Sequence, residues 1–89
     1  MRSKSRIFRP RAKAARYDAK ADAIVVELKN KITVGIPRLR LRALRDAKPR
    51  QIGRIQILGR GSDLFWPDLD DGVEVSWIIE QVLKGTVTA

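Results

Sequence analysis

The chain has 89 residues, no Cys and no His, and a formal net charge of +9 from 19 Lys and Arg against 10 acids. That length holds one domain with one modest core. The missing residue types exclude a disulfide framework, a Cys or His metal centre, a thiol nucleophile and a Ser-His or Cys-His catalytic pair, so the expectation is a non-enzymatic protein without cofactor.

The charge is unevenly placed. Residues 1–60 carry 18 Lys and Arg against four acids, a net +14, whereas residues 61–89 carry one Lys against six acids, a net −5. Such asymmetry points to an anionic partner at the front of the chain, or to self-association of basic and acidic faces, which leaves a homo-oligomer open. No apolar run approaches the roughly 20 residues that span a bilayer, and no secretory segment is present. With no Cys, this fits a cytoplasmic location and no membrane partner.

The first sixteen residues, MRSKSRIFRPRAKAAR, hold seven Lys or Arg and no acid. Ile7 and Phe8 are their only large apolar side chains after Met1, and Pro10 interrupts any helix. The segment buries too little to offset the entropy of ordering, and reads as a disordered basic arm over residues 1–16. Its composition also resembles an organelle transit peptide, though it is short for one. Its cations at Arg2, Lys4, Arg6, Arg9, Arg11, Lys13 and Arg16 are candidates for following a DNA or RNA phosphate backbone.

An α+β domain is expected over residues 17–85, followed by a tail over 86–89. Ile24, Val26 and Leu28 alternate on one face of a first strand, and Ile32, Val34 and Ile36 repeat the alternation after a Lys29-Asn30-Lys31 turn in which Asn30 is the natural left-handed residue. A β-hairpin ending at Pro37 follows.

Residues 38–47, RLRLRALRDA, alternate at first and then place Leu41, Leu44 and Ala47 at helical spacing, which predicts a short helix or helical turn. Arg38, Arg40, Arg42 and Arg45 would ring its exposed side as a second candidate polyanion patch. Pro49 opens and Gly53 closes a further turn. Residues 54–58 return to strand, Gly59 to Gly61 turn, and Leu64-Phe65-Trp66 form a last short strand held extended by Pro67.

Val75, Ile78, Ile79, Val82 and Leu83 then recur at helical spacing, with Lys84 and Gly85 where a C-terminus wants a cation and a left-handed cap. This helix is expected to bury its stripe on the hairpin face of Ile24, Val26, Leu28, Ile32, Val34 and Ile36. Trp66 and Leu69 would wedge the corner, and an Asp among 68, 70 and 71 would satisfy turn and helix-start amides.

Sharper readings of the same corner fail on spacing. A calcium loop starting at Asp68 would put Gly72 at position 5 and Ile79 at position 12, where an acid is required. Three acids within four residues are more simply solvated turn caps than a Mg²⁺ site. The Gly59-Arg60-Gly61-Ser62 turn lacks the Lys-Ser or Lys-Thr pair of a phosphate-binding loop. No spacing singles out a Ser-Lys pair.

Gly61, Trp66-Pro67, Leu69-Asp70-Asp71 and Val75, with the hairpin and the segment over residues 47–52 before them, resemble the bacterial family called domain of unknown function 2442. The resemblance covers about residues 17–84. Phe65 stands where that family is associated with His, and Gly72 where it is associated with an acid. It implies a small α+β domain, in some members joined to a DNA-binding helix-turn-helix and in others encoded beside a toxin-like partner, with no catalytic residues to carry over.

Two functions follow as expectations. One is a non-catalytic regulatory or interaction module, antitoxin-like, that binds a protein partner encoded nearby through its folded domain and nucleic acid through its arm. The alternative is a general nucleic-acid-binding accessory protein in which the arm and the patch over residues 38–45 act together.

Overall fold

The alternation of Ile24, Val26 and Leu28 becomes β2 (Ala23–Leu28), paired antiparallel with β3 (Thr33–Pro37) in the register Ile24 to Ile36 and Val26 to Val34. The computed structural model describes residues 9–85. The hairpin turn closes through Lys31 N to Leu28 O at 2.9 Å and Leu28 N to Ile32 O at 2.8 Å. Asn30 serves it through its side chain, whose Oδ1 accepts from Ile32 N at 3.0 Å, while Lys31 takes the left-handed backbone at φ 75°. The expected division of labour is therefore reversed: an Asx turn keeps Asn30 useful and passes the strained dihedral to its neighbour. Ile32 lies ahead of β3 in this turn and is 56% exposed, so it is no part of the core face.

The largest correction concerns the arm. Residues 12–16 are not disordered but belong to β1 (Ala12–Asp18), which pairs antiparallel with β2 through Ala15 to Val26 and Tyr17 to Ile24, with a bulge between Ala12 and Ala14. The domain thus begins several residues before residue 17. The cause is the backbone ladder, which satisfies the peptide groups of this strand although only Ala12, Ala15 and Tyr17 pack on the core. Lys13 and Arg16 stay exposed. Arg11 is also part of the fold: its carbonyl accepts from Lys29 N at 2.9 Å and its Nη1 donates to Gly59 O at 3.0 Å. The remainder of the predicted arm, residues 1–8, and the predicted tail over 86–89 lie outside the described residues.

The second half builds another three-stranded antiparallel sheet in simple order, β4 (Gln56–Leu58), β5 (Asp63–Trp66) and β6 (Asp71–Glu74). Leu64-Phe65-Trp66 is thus not the last strand. Residues 71–74, for which no strand is expected from the sequence, form β6, and Asp71, one of the three candidate capping Asp, spends its Oδ1 on the amide of Gly72 at 2.8 Å. Phe65 and Gly72, the two departures from the family pattern, are cross-strand partners. A Cβ at Gly72 would lie 2.6 Å from Leu64 O, so the position is closed to any larger residue in this backbone.

Residues 38–47 fold as two 3₁₀ turns, Arg38–Arg40 and Arg42–Leu44, with the extended Leu41 between them. The period-two and helical signals had competed there, and each turn is too short to continue. A one-turn helix α1 (Pro49–Ile52) follows, with Pro at its first position, Gln51 Oε1 accepting from Lys48 N at 2.9 Å, and Gly53 at its end.

α2 (Val75–Gly85) leaves β6 directly and packs on β3. Val75 and Ile78 are fully buried, Ile79 and Val82 half-buried, and Leu83 is 65% exposed, so the stripe covers the sheet for two turns and then runs past it. The core lies between the inner face of the first sheet, the buried face of α2, Leu41, Leu44 and Ile52 from the connecting turns, and Leu64 and Trp66 of β5.

Candidate nucleic-acid interface

Residues 59–75, which hold Trp66, three Gly and five acids, are a packing corner. Gly61 sits at φ 100° against the first strand; a Cβ there would lie 2.5 Å from Ala12 O and 2.8 Å from Ala12 N. This close approach joins the two sheets and requires glycine twice over, for its dihedral and for its missing side chain. Trp66 is 1% exposed, and its indole N–H donates to Ile52 O at 2.9 Å, so the polar end of a large buried ring is satisfied. Val75 N donates to Ser62 O at 2.8 Å, which fixes the start of α2. Among the described residues, no group of three acids or other metal-ligating side chains converges.

The predicted cationic residues divide into three sets. Arg2, Lys4 and Arg6 lie outside the described residues. Arg11 and Arg38 are held by contacts within the fold, Arg11 through Gly59 O and Arg38 through an ion pair, so Arg38 does not ring the exposed side of its turn. Arg38 forms a two-point ion pair with Asp22, Nε to Oδ1 at 2.8 Å and Nη2 to Oδ2 at 3.0 Å, and its Nη1 also donates to Leu44 O at 3.1 Å and Arg45 O at 2.8 Å. The guanidinium thus ties the first 3₁₀ turn to the end of the second and to the turn before β2. No signal in the sequence pairs Asp22 with Arg38, because sixteen residues separate them and Asp22 adopts the left-handed φ of 53°.

Tyr17 completes this cluster by donating its hydroxyl to Asp22 Oδ1 at 2.6 Å. The hydrogen bonds from Arg38, and then from Tyr17, hold the Asp22 carboxyl below its ordinary pKa. The hydrogen bond to Asp22 raises the Tyr17 phenol above its ordinary value and does the same for the Arg38 guanidinium.

The third set faces solvent. Arg9, Lys13, Arg16, Arg40, Arg42 and Arg45 are exposed, and Lys48 and Arg50 extend the basic series into α1. Among the described residues, ion pairs involve only Arg38 with Asp22 and Arg54 with Asp68, so the other cations have no direct acidic partner there. Arg45 is steadied by Nε donating to Leu39 O at 3.2 Å, and Leu39 itself is 57% exposed. A groove of about 280 Å³ opens beside these turns, lined by Leu41, Arg42, Ala43, Asp71 and Val73 and by both tryptophans, Trp66 and Trp77. The apolar stripe read for α2 leaves Trp77 unassigned; it is half-buried and packs against the core.

No helix among the described residues is long and apolar enough to cross a membrane. No curated protein matches the chain. A crystal structure of a protein of unknown function from Rhodospirillum rubrum is similar, with a TM-score of 0.78 and 32% identity over 82% of this chain and 88% of that one. A solution structure of an uncharacterised protein from Chromobacterium violaceum shares the fold, with a TM-score of 0.71 and 23% identity over 79% of this chain and 64% of that one. Residues 12–80 match the model of the family described as protein of unknown function (DUF2442), and that span takes in β1, both sheets and the first half of α2. The chain belongs to the DUF2442 family.

Proposed function

We propose that the protein is a non-catalytic binding module that holds nucleic acid through exposed arginines that have no direct acidic partner. The observation carrying this reading is the run Arg40, Arg42 and Arg45, exposed on two consecutive 3₁₀ turns and free of acidic partners among the described residues. Arg38, fastened to Asp22, holds the turns that present them. The net +14 of residues 1–60 adds long-range attraction, to which Arg2, Lys4 and Arg6 contribute charge. Lack of both His and Cys supports binding over catalysis.

Binding of this kind is largely sequence-independent and steeply dependent on salt, since each neutralised phosphate of duplex DNA contributes a slope of about −0.9. With about five contacts, affinity falls several hundred-fold between about 50 and 200 mM salt by the same relation. The test is fluorescence-anisotropy titration of labelled duplex and single strands across that salt range. The full chain should be compared with a form lacking residues 1–8 and with Arg40→Ala/Arg42→Ala/Arg45→Ala. Deleting residues 1–16 would remove most of β1 and cannot serve. Loss of slope in the triple variant supports the reading, and absence of binding by the full chain at low salt rejects it.

A protein partner is the second reading, favoured by the outer face of the second sheet. There the exposed Leu58 and the half-buried Phe65 border a shallow groove of about 270 Å³ rimmed by Asp63 and Glu74, which fits a partner surface that is apolar at its centre and basic at its edge. An antitoxin-like role belongs to this reading. Tagged pull-down from the native host, with and without nuclease, separates it from the first: a stoichiometric partner that survives nuclease favours it.

A further inference from the structure

We propose that the groove between the second 3₁₀ turn and α2 takes one unpaired nucleobase of a single-stranded nucleic acid, stacked on Trp77 with its phosphate on Arg42. This inference rests on the nucleic-acid reading above and assigns it a specific seat.

The two tryptophans carry the argument by contrast. Trp66 borders the groove but is only 1% exposed, and its N–H is taken by Ile52 O at 2.9 Å. Trp77 is half-buried, lines the groove, and has no acceptor for its indole N–H among the described residues. An amphipathic ring packed in part on the core and with its N–H not taken by the described residues is suited to a ligand that offers both a flat face and an acceptor. A base does both.

The groove is about 280 Å³, just below the range of about 300–1,000 Å³ usual for drug-sized ligands, so it fits one planar group rather than an extended cofactor. Its walls are apolar at Leu41, Ala43 and Val73, which suits an unstacked base. Of the charged lining residues, Arg42 comes from the second 3₁₀ turn and Asp71 from β6, so a phosphate is drawn to the turn carrying Arg42 and repelled from β6. Charge complementarity therefore selects a nucleotide over an uncharged aromatic ligand. The need for an exposed base selects single strands over duplex, whose bases are stacked on one another.

The test uses the full chain at low salt with short oligo(dT), short oligo(U) and a duplex of equal length, reading tryptophan emission and affinity together. Oligo(dT) and oligo(U) should quench the tryptophan emission, and because Trp66 borders the same groove its share is read from Trp77→Phe, which keeps Trp66 alone; comparing the two strands separates DNA from RNA as the source of the base. Trp77→Phe should remove most of the quench and keep most of the affinity. Trp77→Ala should weaken single-strand binding about tenfold or more while leaving duplex binding unchanged, in line with the contribution of one base-aromatic stack. Near-UV circular dichroism of Trp66 reports whether that variant is folded. If it is not, Arg42→Ala, at an exposed position, should lower single-strand affinity and reduce the salt slope by about one.

Single strands that bind without altering emission and with full affinity for Trp77→Ala would overturn the stacking site and leave the polyanion reading standing. A quench produced by aromatic or proline-rich peptides and by neither oligonucleotide would assign the groove to a protein partner and overturn the proposal. Absence of binding by every nucleic acid would overturn both readings.

Discussion

The corner over residues 59–75 and the arginine turns over residues 38–45 are both irregular, yet they treat their polar groups in opposite ways. In the corner, the Trp66 N–H, the Ser62 carbonyl and the Asp71 carboxylate each find a partner within the chain. In the arginine turns only Arg38 is fully engaged, while Arg40 and Arg42 are exposed and unpaired among the described residues. The comparison teaches that the conspicuous residues of this sequence, its Trp, Gly and Asp cluster, serve packing. The repetitive arginines nearby include one structural clamp and several free charges. Side-chain type does not separate these roles; the available partners do.

The contrast breaks first at Trp66. Trp66→Ala should cost about 3–5 kcal/mol in urea-unfolding free energy, because it deletes a fully enclosed ring and leaves a cavity. Trp66→Phe should cost less and still register about 1–3 kcal/mol if the Ile52 carbonyl is left without a donor. Equal stability of the alanine variant would move Trp66 out of the core. Gly61→Ala comes next: its left-handed dihedral alone costs about 1–3 kcal/mol, and the added Cβ would also press on the backbone of Ala12. Its unfolding midpoint should therefore fall well below that of Gly53→Ala, a position with negative φ and a nearest contact of 3.4 Å.

The Asp22 cluster gives a dependence on pH. Because the folded state lowers the Asp22 pKa, its contribution to stability is complete above the unfolded value of about 3.9 and is lost as pH falls through the lower folded value. Tyr17 is raised, so its contribution is complete below about 10 and is lost as pH rises through its folded value. Asp22→Asn should lower the thermal midpoint near neutrality, and the gap to wild type should close in acid as Asp22 of the wild type protonates. A gap that stays constant with pH would show that the ion pair is not its source. The smallest effect is expected at the free arginines: Arg40→Ala and Arg42→Ala should each change stability by less than about 0.5 kcal/mol, while Arg38→Ala destabilises measurably. If Arg40→Ala unfolds the protein as readily as Arg38→Ala, the division of the arginine turns into clamp and free charge collapses.

Local pattern determined a good share of this protein. The β2–β3 hairpin, the stripe of α2, the Pro49 turn and the burial of Trp66 all follow from side chains that repeat at the period of one element or mark its ends, and such signals lie within a few residues of one another. Membership of the family was legible for the same reason, in Gly61, Trp66-Pro67 and Val75. What only the tertiary structure decided depends on partners far along the chain. β1 exists because β2 offers it a ladder, although its own alanines and cations resemble a solvated arm. β6 exists because β5 pairs with it, although its acids look like helix caps. Arg38 is a clamp because Asp22 is placed against it, and Trp77 borders a groove because residues 41–43 of the connecting turns lie across from it in the fold. Backbone pairing and ion pairing between distant residues leave no periodic trace in sequence, since the energy of each depends on where the other half has been placed.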